Sequence, residues 1–252
     1  MVDVVPPAGD GAGSLVGPGL TVAMHMSDGL VNAPTAAVFG LVAVLGLAIA
    51  ASRARADLDE RTAPMAGLVT AFVFAVQMIN FPILPGASGH LLGGALVAIL
   101  VGPWVGSLCI AIVLVVQALL FADGGLTALG TNITNMALVG TFTGYVVAYT
   151  LRRFAARSRT GLLVTSFAAA LINTVVASMA FVLEYAIGGA GGAGLGTVFS
   201  LMVGLHVLVG IGEGIITAAT VGAVAAVRPD LVYLLRGTRP AVTLRTPGEA
   251  AR

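Results

Sequence analysis

The sequence predicts an all-α membrane protein: a polytopic helical bundle of seven transmembrane helices, N-terminus outside and C-terminus cytoplasmic. Three observations carry this. Of 252 residues, 58% are hydrophobic and only 9% are charged, with a mean hydropathy of +1.04. A soluble domain carries about 25% charged residues to cover a water-facing surface. The apolar residues also fall into long runs, and a helical crossing needs about 20 of them. Finally, the arginines set the number and direction of crossings.

Seven segments qualify: roughly Ala33 to Ala51, Met65 to Phe81, Leu91 to Val101, Trp104 to Phe121, Leu126 to Leu151, Leu162 to Ile187 and Thr197 to Val227. The third is short, and charge decides whether it crosses. Arg53, Arg55 and Arg61 follow the first span. Arg152, Arg153, Arg157 and Arg159 separate the fifth from the sixth. Arg228, Arg236, Arg239, Arg245 and Arg252 follow the seventh. Cytoplasmic loops hold the arginine excess, and these groups share one side only if an even number of crossings separates Arg61 from Arg152. The segment Leu91 to Val101 is therefore expected to span, with Gly102-Pro103 as a tight cytoplasmic turn. Residues 82–90, 122–130 and 188–196 then form outer loops, joined by the chain before the first helix. Their Gly, Pro, Ala and Ser content is that of ordered loops packed on the bundle. The small-residue pairs Gly102/Gly106, Gly140/Gly144 and Gly210/Gly214 are expected to pack helices of the same chain closely.

Composition excludes several functions. The 12 Lys+Arg are all arginine, so the chain has no Walker A lysine, no lysine for pyridoxal phosphate and no retinal attachment point. It is not expected to be an enzyme, nor to have an ATPase motif of its own. A net charge of +1, without basic clusters interleaved by aromatics, gives nucleic acid nothing to hold. Single Cys109 leaves no intrachain disulfide and reads as a small packing residue.

Two of the three histidines, His25 and His90, fall at the outer end of the bundle. Either alone reads as an ordinary hydrogen-bonding residue, but together they suggest a metal site. Imidazole suits Ni, Cu, Co and Zn, and a nitrogen-rich site favours a tetragonal ion. If the mature chain starts at Met24, its amine, the deprotonated His25 amide nitrogen and the His25 imidazole can chelate an ion, and His90 can complete four nitrogens. Residues 1–23 lack arginine and an apolar core, so they do not read as a secretory signal. A misplaced start, processing and a retained extension are the three accounts of them. In the last, the Met24 nitrogen is an amide and one ligand is lost. Residues 24–228 read as one transmembrane metal-binding domain, and 229–252 as a cytoplasmic tail.

The stretches Met24-His25-Met26-Ser27-Asp28-Gly29, Gln77-Met78-Ile79-Asn80-Phe81-Pro82 and Ser88-Gly89-His90-Leu91-Leu92-Gly93-Gly94 resemble the substrate-binding (S) component of cobalt/nickel energy-coupling factor transporters, the CbiM/NikM family. Asp123 to Gly130 with Asn132 and Asn135, and His206 with Gly210 to Gly214, extend the likeness from Met24 to about Arg228. The resemblance implies a seven-helix subunit of a bacterial or archaeal cytoplasmic membrane, linked to cobalamin biosynthesis among other uses. It would capture Co²⁺ or Ni²⁺ through Met24, His25 and His90, with no cofactor besides the transported ion. It further implies a small membrane partner subunit, a transmembrane coupling (T) subunit and cytoplasmic ATPase subunits. No further span follows Arg228, so a partner fused there is not expected.

Polar residues inside spans are costly and are functional candidates. His206 and Glu213, seven apart, share a helix face, and Glu184 lies in the sixth span. They read either as a hydrogen-bonded cluster locking helices six and seven or as a proton relay; His206, and Glu213 deeper still, are expected to lie below the captured ion. Asp28, Gln77, Asn80, Ser88 and Asn132, with Thr131 and Asn135, are expected around the histidines, where a ligating imidazole directs its second nitrogen. The competing function is a stand-alone proton-coupled metal carrier using Glu184, His206 and Glu213. An intramembrane hydrolase finds no His-Glu-x-x-His motif and no Ser/His pair of recognisable spacing.

Overall fold

The computed structural model describes residues 25–60, 62–79, 81–84 and 87–236. Expectations at Met24 and Asn80, and for residues 1–23 and beyond 236, lie outside them. Helix α1 (Ala33–Asp57) starts where Asn32 accepts a hydrogen bond from the Thr35 amide at 3.0 Å and a proline enters the first turn, a standard N-terminal signal. Its Leu41, Val44 and Leu45 point outward, as a lipid-facing stripe requires. Helix α2 (Thr62–Gln77) is capped by Asp59, whose carboxylate accepts from the Thr62 amide at 2.6 Å. The Gly/Pro segment after it forms a small antiparallel hairpin, β1 (Phe81–Leu84) with β2 (Ala87–Gly89), with Phe81 opposite Gly89.

Helix α3 (Gly94–Val101) has only 8 residues, all buried, and reaches about 12 Å at 1.5 Å per residue. The expected third crossing, Leu91 to Val101, is therefore helical only from Gly94. Residues 91–93 are irregular, with Gly93 left-handed at φ 80°, and side chains from α2 and the last helix take their backbone groups. Irregular backbone at membrane depth is tolerated where protein covers it. α3 sits at the centre, packed on its neighbours α2 and α4 and on the later α6, α8 and α9. Helix α4 (Pro103–Leu120) follows after Gly102 alone. That residue has φ 90°, a conformation that suits glycine, and the Tyr233 ring fills the space where a Cβ would stand.

A single rod replaces the expected fifth span: α5 (Leu129–Asn132), a π-helical segment (Ile133–Gly140) and α6 (Thr141–Thr150). It starts three residues later than Leu126 because the chain is still in a turn there. A short α7 (Arg152–Arg157) leads to α8 (Arg159–Gly188), where Ser158 caps the Gly161 amide. α9 (Leu195–Val227) completes the bundle. Helices α1, α4, α8 and α9 are long and apolar enough to cross a membrane, and α2 is a shorter apolar helix. The small-residue pairs all meet their own chain: Gly106 faces Val97, Gly144 faces Ala95, Gly140 faces Asn173, Gly210 faces Leu171 and Gly214 faces Phe167.

Packed structure continues past residue 228. Two 3₁₀ turns, Pro229–Leu231 and Tyr233–Leu235, bury Val232, Leu234 and Leu235, and Arg236 donates to Thr62 at 2.8 Å. Packed structure thus runs to Arg236, because this apolar segment covers the end of α3. At the opposite end, residues 25–32 lie against the loop before α5 and the α8–α9 turn. Gly125 donates to the Met26 carbonyl, Asn32 to that of Gly188, and Ala190 to that of Leu30.

Candidate metal centre

His25 and His90 come together at that end. Their ring centroids are 4.4 Å apart with 32° between the planes, and each residue is 2% exposed. Both Nδ1 atoms are engaged: that of His25 with Asp123 at 3.1 Å, and that of His90 with the Leu91 carbonyl at 3.0 Å. A carboxylate or carbonyl oxygen only accepts, so Nδ1 carries the hydrogen in both rings. Neutral imidazole then keeps a lone pair on Nε2. Both Nε2 atoms are buried and have no hydrogen-bond partner. An unpaired buried acceptor is costly, and here two nitrogen donors stand side by side. Among the described residues no group of three or more His, Cys, Asp and Glu side chains gathers to hold an ion; the third expected ligand, the Met24 nitrogen, lies outside those residues.

The electrostatics keep the His90 donor available. Burial, and then the neighbouring His25, push His90 down to about 3, so its ring is neutral at ordinary pH. The hydrogen bond from His25 holds the Asp123 carboxyl below the usual carboxylate range. Asp123 sits in a tight turn in which Ala122 has φ 52° and Gly124 φ 88°. Left-handed backbone is uncommon for alanine; here it turns Asp123 toward His25, and a Cβ on Gly124 would stand 3.0 Å from the Cβ of His25.

Three residues expected to orient the imidazoles, Asn132, Asp28 and Gln77, make other bonds. Asn132 clamps the N-terminal segment, accepting from the Met26 amide at 2.8 Å and donating to the Met26 carbonyl at 3.0 Å. Asp28 accepts from both the amide and hydroxyl of Thr127 at 2.7 and 2.6 Å, bonds that hold its carboxyl below the ordinary range. A Cβ on Gly125 would collide with the Asp28 backbone, so glycine there permits the docking. Gln77 donates to the Leu92 carbonyl at 2.7 Å. Ser88 lies on β2, paired with Pro82.

Glu213 accepts from the Leu92 and Gly93 amides at 2.9 and 3.1 Å, and from Asn173 and Thr174 on α8 at 3.1 and 2.8 Å. It ties α9 to α8 and fixes the backbone immediately after His90. Glu184 instead takes one hydrogen bond, from Asn135 at 2.6 Å, and His206 donates to the Met202 carbonyl of its own helix at 2.6 Å. These three residues thus have separate partners rather than one shared cluster. His206 also lines the same small cavity as His90, so it adjoins the pair more closely than expected from its place in the helix.

Asp123 is the residue sequence reasoning missed. The available signal was that, within 82–90, 122–130 and 188–196, it is the only ionisable residue besides His90.

Residues 25–231 match the family model described as cobalt uptake substrate-specific transmembrane region, CbiM. An Archaeoglobus fulgidus protein provisionally named a fused nickel transport protein, NikMN, is 39% identical over 209 residues, covering 83% of this chain and 68% of the relative. The cobalt transport protein CbiM of Sorangium cellulosum is 32% identical over 223 residues, covering 86% of this chain and 97% of that one. A solved truncated transition metal transporter superposes with a TM-score of 0.71 at 28% identity, covering 81% of this chain and 99% of that one.

Proposed function

Because this chain belongs to the CbiM family of cobalt-uptake substrate-specific transmembrane proteins, we propose that it captures Co²⁺ or Ni²⁺ outside the cytoplasmic membrane. It passes the ion inward as the substrate-specific subunit of an energy-coupling factor transporter. The observation that carries this reading is the pair of facing, buried imidazoles with unpartnered Nε2 atoms.

Met24 supplies a further nitrogen when it carries a free amine. A chelate through the His25 amide nitrogen closes only through Nδ1 of the same ring, the atom that Asp123 holds here. In that arrangement the ring turns and Asp123 gives up its hydrogen bond; in the alternative, Nε2 binds the ion and Asp123 steadies the ring. Both retain His25 and His90 as ligands.

The arginine-bearing segments support an orientation in which Arg236, Arg152 and Arg157 face the cytoplasm and the histidine pair faces outward. Seven helical elements, α1 to α4, the α5–π–α6 rod, α8 and α9, then make up the membrane domain, with α3 reaching across only together with its flanks. A chain lacking lysine relies on ATPase subunits, a transmembrane coupling subunit and a small membrane partner for power. The Archaeoglobus relative, named as a fused nickel transport protein, fits a subunit that works beside a further component. The test is metal binding by the purified chain: His25→Ala and His90→Ala each abolish tight Co²⁺ or Ni²⁺ binding, and undiminished tight binding without both imidazoles would sink the reading.

A further inference from the structure

Beside His90 lies a cavity of about 20 Å³ lined by His90, Asn132, Asn135, Ser178, Met202 and His206, among others. That is room for about one water-sized sphere, and so for one dehydrated divalent ion but not a hydrated one. Asn135, which lines it, and Glu184, bonded to Asn135, each leave an oxygen unsatisfied: Oδ1 of Asn135 and Oε1 of Glu184 are both buried without a hydrogen-bond partner. Asn135 is 4% exposed and Glu184 1%, and the amide of the first donates to the carboxylate of the second at 2.6 Å.

The contrast with Glu213 is instructive. That carboxylate, equally buried, accepts four hydrogen bonds and is fully used in holding the fold. Glu184 keeps one oxygen free in a part of the bundle where an unpaired ionisable group is expensive and marks function. Asn135 also belongs to the π-helical segment Ile133–Gly140, and π segments recur at functional sites because they redirect side chains out of the regular helical register.

We propose that Asn135 Oδ1 and Glu184 Oε1 form a second, oxygen-donor site for a divalent transition cation, adjoining the cavity beside His90. It holds the ion after the ion leaves the imidazole pair. This rests on the capture reading above and adds a station to it. Oxygen donors bind a divalent first-row ion less tightly than imidazole, which favours onward release, and the Glu184 carboxylate offsets charge that no imidazole can.

Calorimetric titration of the purified full chain with Co²⁺ alone tests this. The wild type shows a tight and a weaker class of binding. Glu184→Gln, which preserves shape and can still accept from Asn135, loses the weaker class and keeps the tight one, and Asn135→Ala does the same. His25→Ala combined with His90→Ala loses the tight class and keeps the weaker. A weaker class that survives both Glu184→Gln and Asn135→Ala, or a wild type that never takes more than one ion per chain, overturns the second site. Tight binding that survives loss of both histidines overturns the capture reading alone, since the Glu184 comparison is read on the weaker class.

Discussion

At the scale of single residues, the protonation of His90 and the hydrogen bond between His25 and Asp123 decide whether nitrogen lone pairs are offered to an ion. Asp123→Asn separates the two ways His25 can bind. If Nε2 is the ligand, loss of the carboxylate that steadies the ring weakens affinity about 10–100-fold. If Nδ1 closes a chelate with the amide, Asp123 competes with the metal and the variant binds as well or better. Titrations of the two proteins side by side distinguish these outcomes.

At His90 and the two loop aspartates, pH acts in one direction. His90 titrates near 3 in the folded protein and near 6.5 when unfolded. The unfolded chain therefore takes up a proton that the folded chain refuses, and stability is full above about 6.5 and falls as pH drops toward 3. Asp123 and Asp28, both held below the carboxylate range, add a further loss as pH falls through their folded values. Between pH 7 and pH 4 the melting temperature of the metal-free protein in detergent is expected to respond less favourably to acid in the wild type than in His90→Gln, which lacks the excluded proton. An equal response in the two proteins would contradict this assignment.

At the scale of elements, the site is assembled from segments that have little stability of their own. Residues 25–31 form no helix; they are held by Asn132, by Thr127 on Asp28 and by backbone bonds to Gly125 and Gly188–Ala190. Residues 91–93 are held by Gln77 on one side and Glu213 on the other. Glu213 is thus part of what positions His90, although it belongs to α9. Glu213→Gln replaces an acceptor oxygen by an NH₂ group facing donors, and a buried donor left unsatisfied costs about 1–3 kcal/mol. We expect that loss in stability together with weaker metal binding, measured by thermal unfolding and titration of the same preparation. Unchanged values for both would remove Glu213 from the positioning of His90.

At the scale of the whole molecule, a bundle with α3 at its centre carries lipid-facing residues such as Leu41, Ile112, Leu183 and Ile215 on its outside and the histidine pair at one end. Transport asks more of it than capture. Proteoliposomes containing this chain alone, with an imposed proton gradient, are expected to show no Co²⁺ flux, and flux should appear when ATPase and coupling subunits are added with ATP. Proton-driven flux through the lone chain would instead favour a stand-alone carrier built on Glu184, His206 and Glu213.

The membrane class, the two-ended arrangement of loops and the identity of the paired histidines were legible in the residues themselves. Hydropathy and charge add up locally along the chain, so the apolar runs and the grouped arginines announce themselves without knowledge of the fold. Hydrogen-bond partners do not. His25 meets Asp123 98 positions away, and Met26 meets Asn132 106 positions away, distances over which no periodicity or spacing operates. Residues near the histidines in sequence, such as Gln77 and Asp28, were therefore expected to orient the rings but bind backbone or a neighbouring loop instead. The shortness of α3 has the same origin: Leu91 to Val101 is uniformly apolar, but the side chains of Gln77 and Glu213 claim the backbone of its first residues, and only folding brings them there.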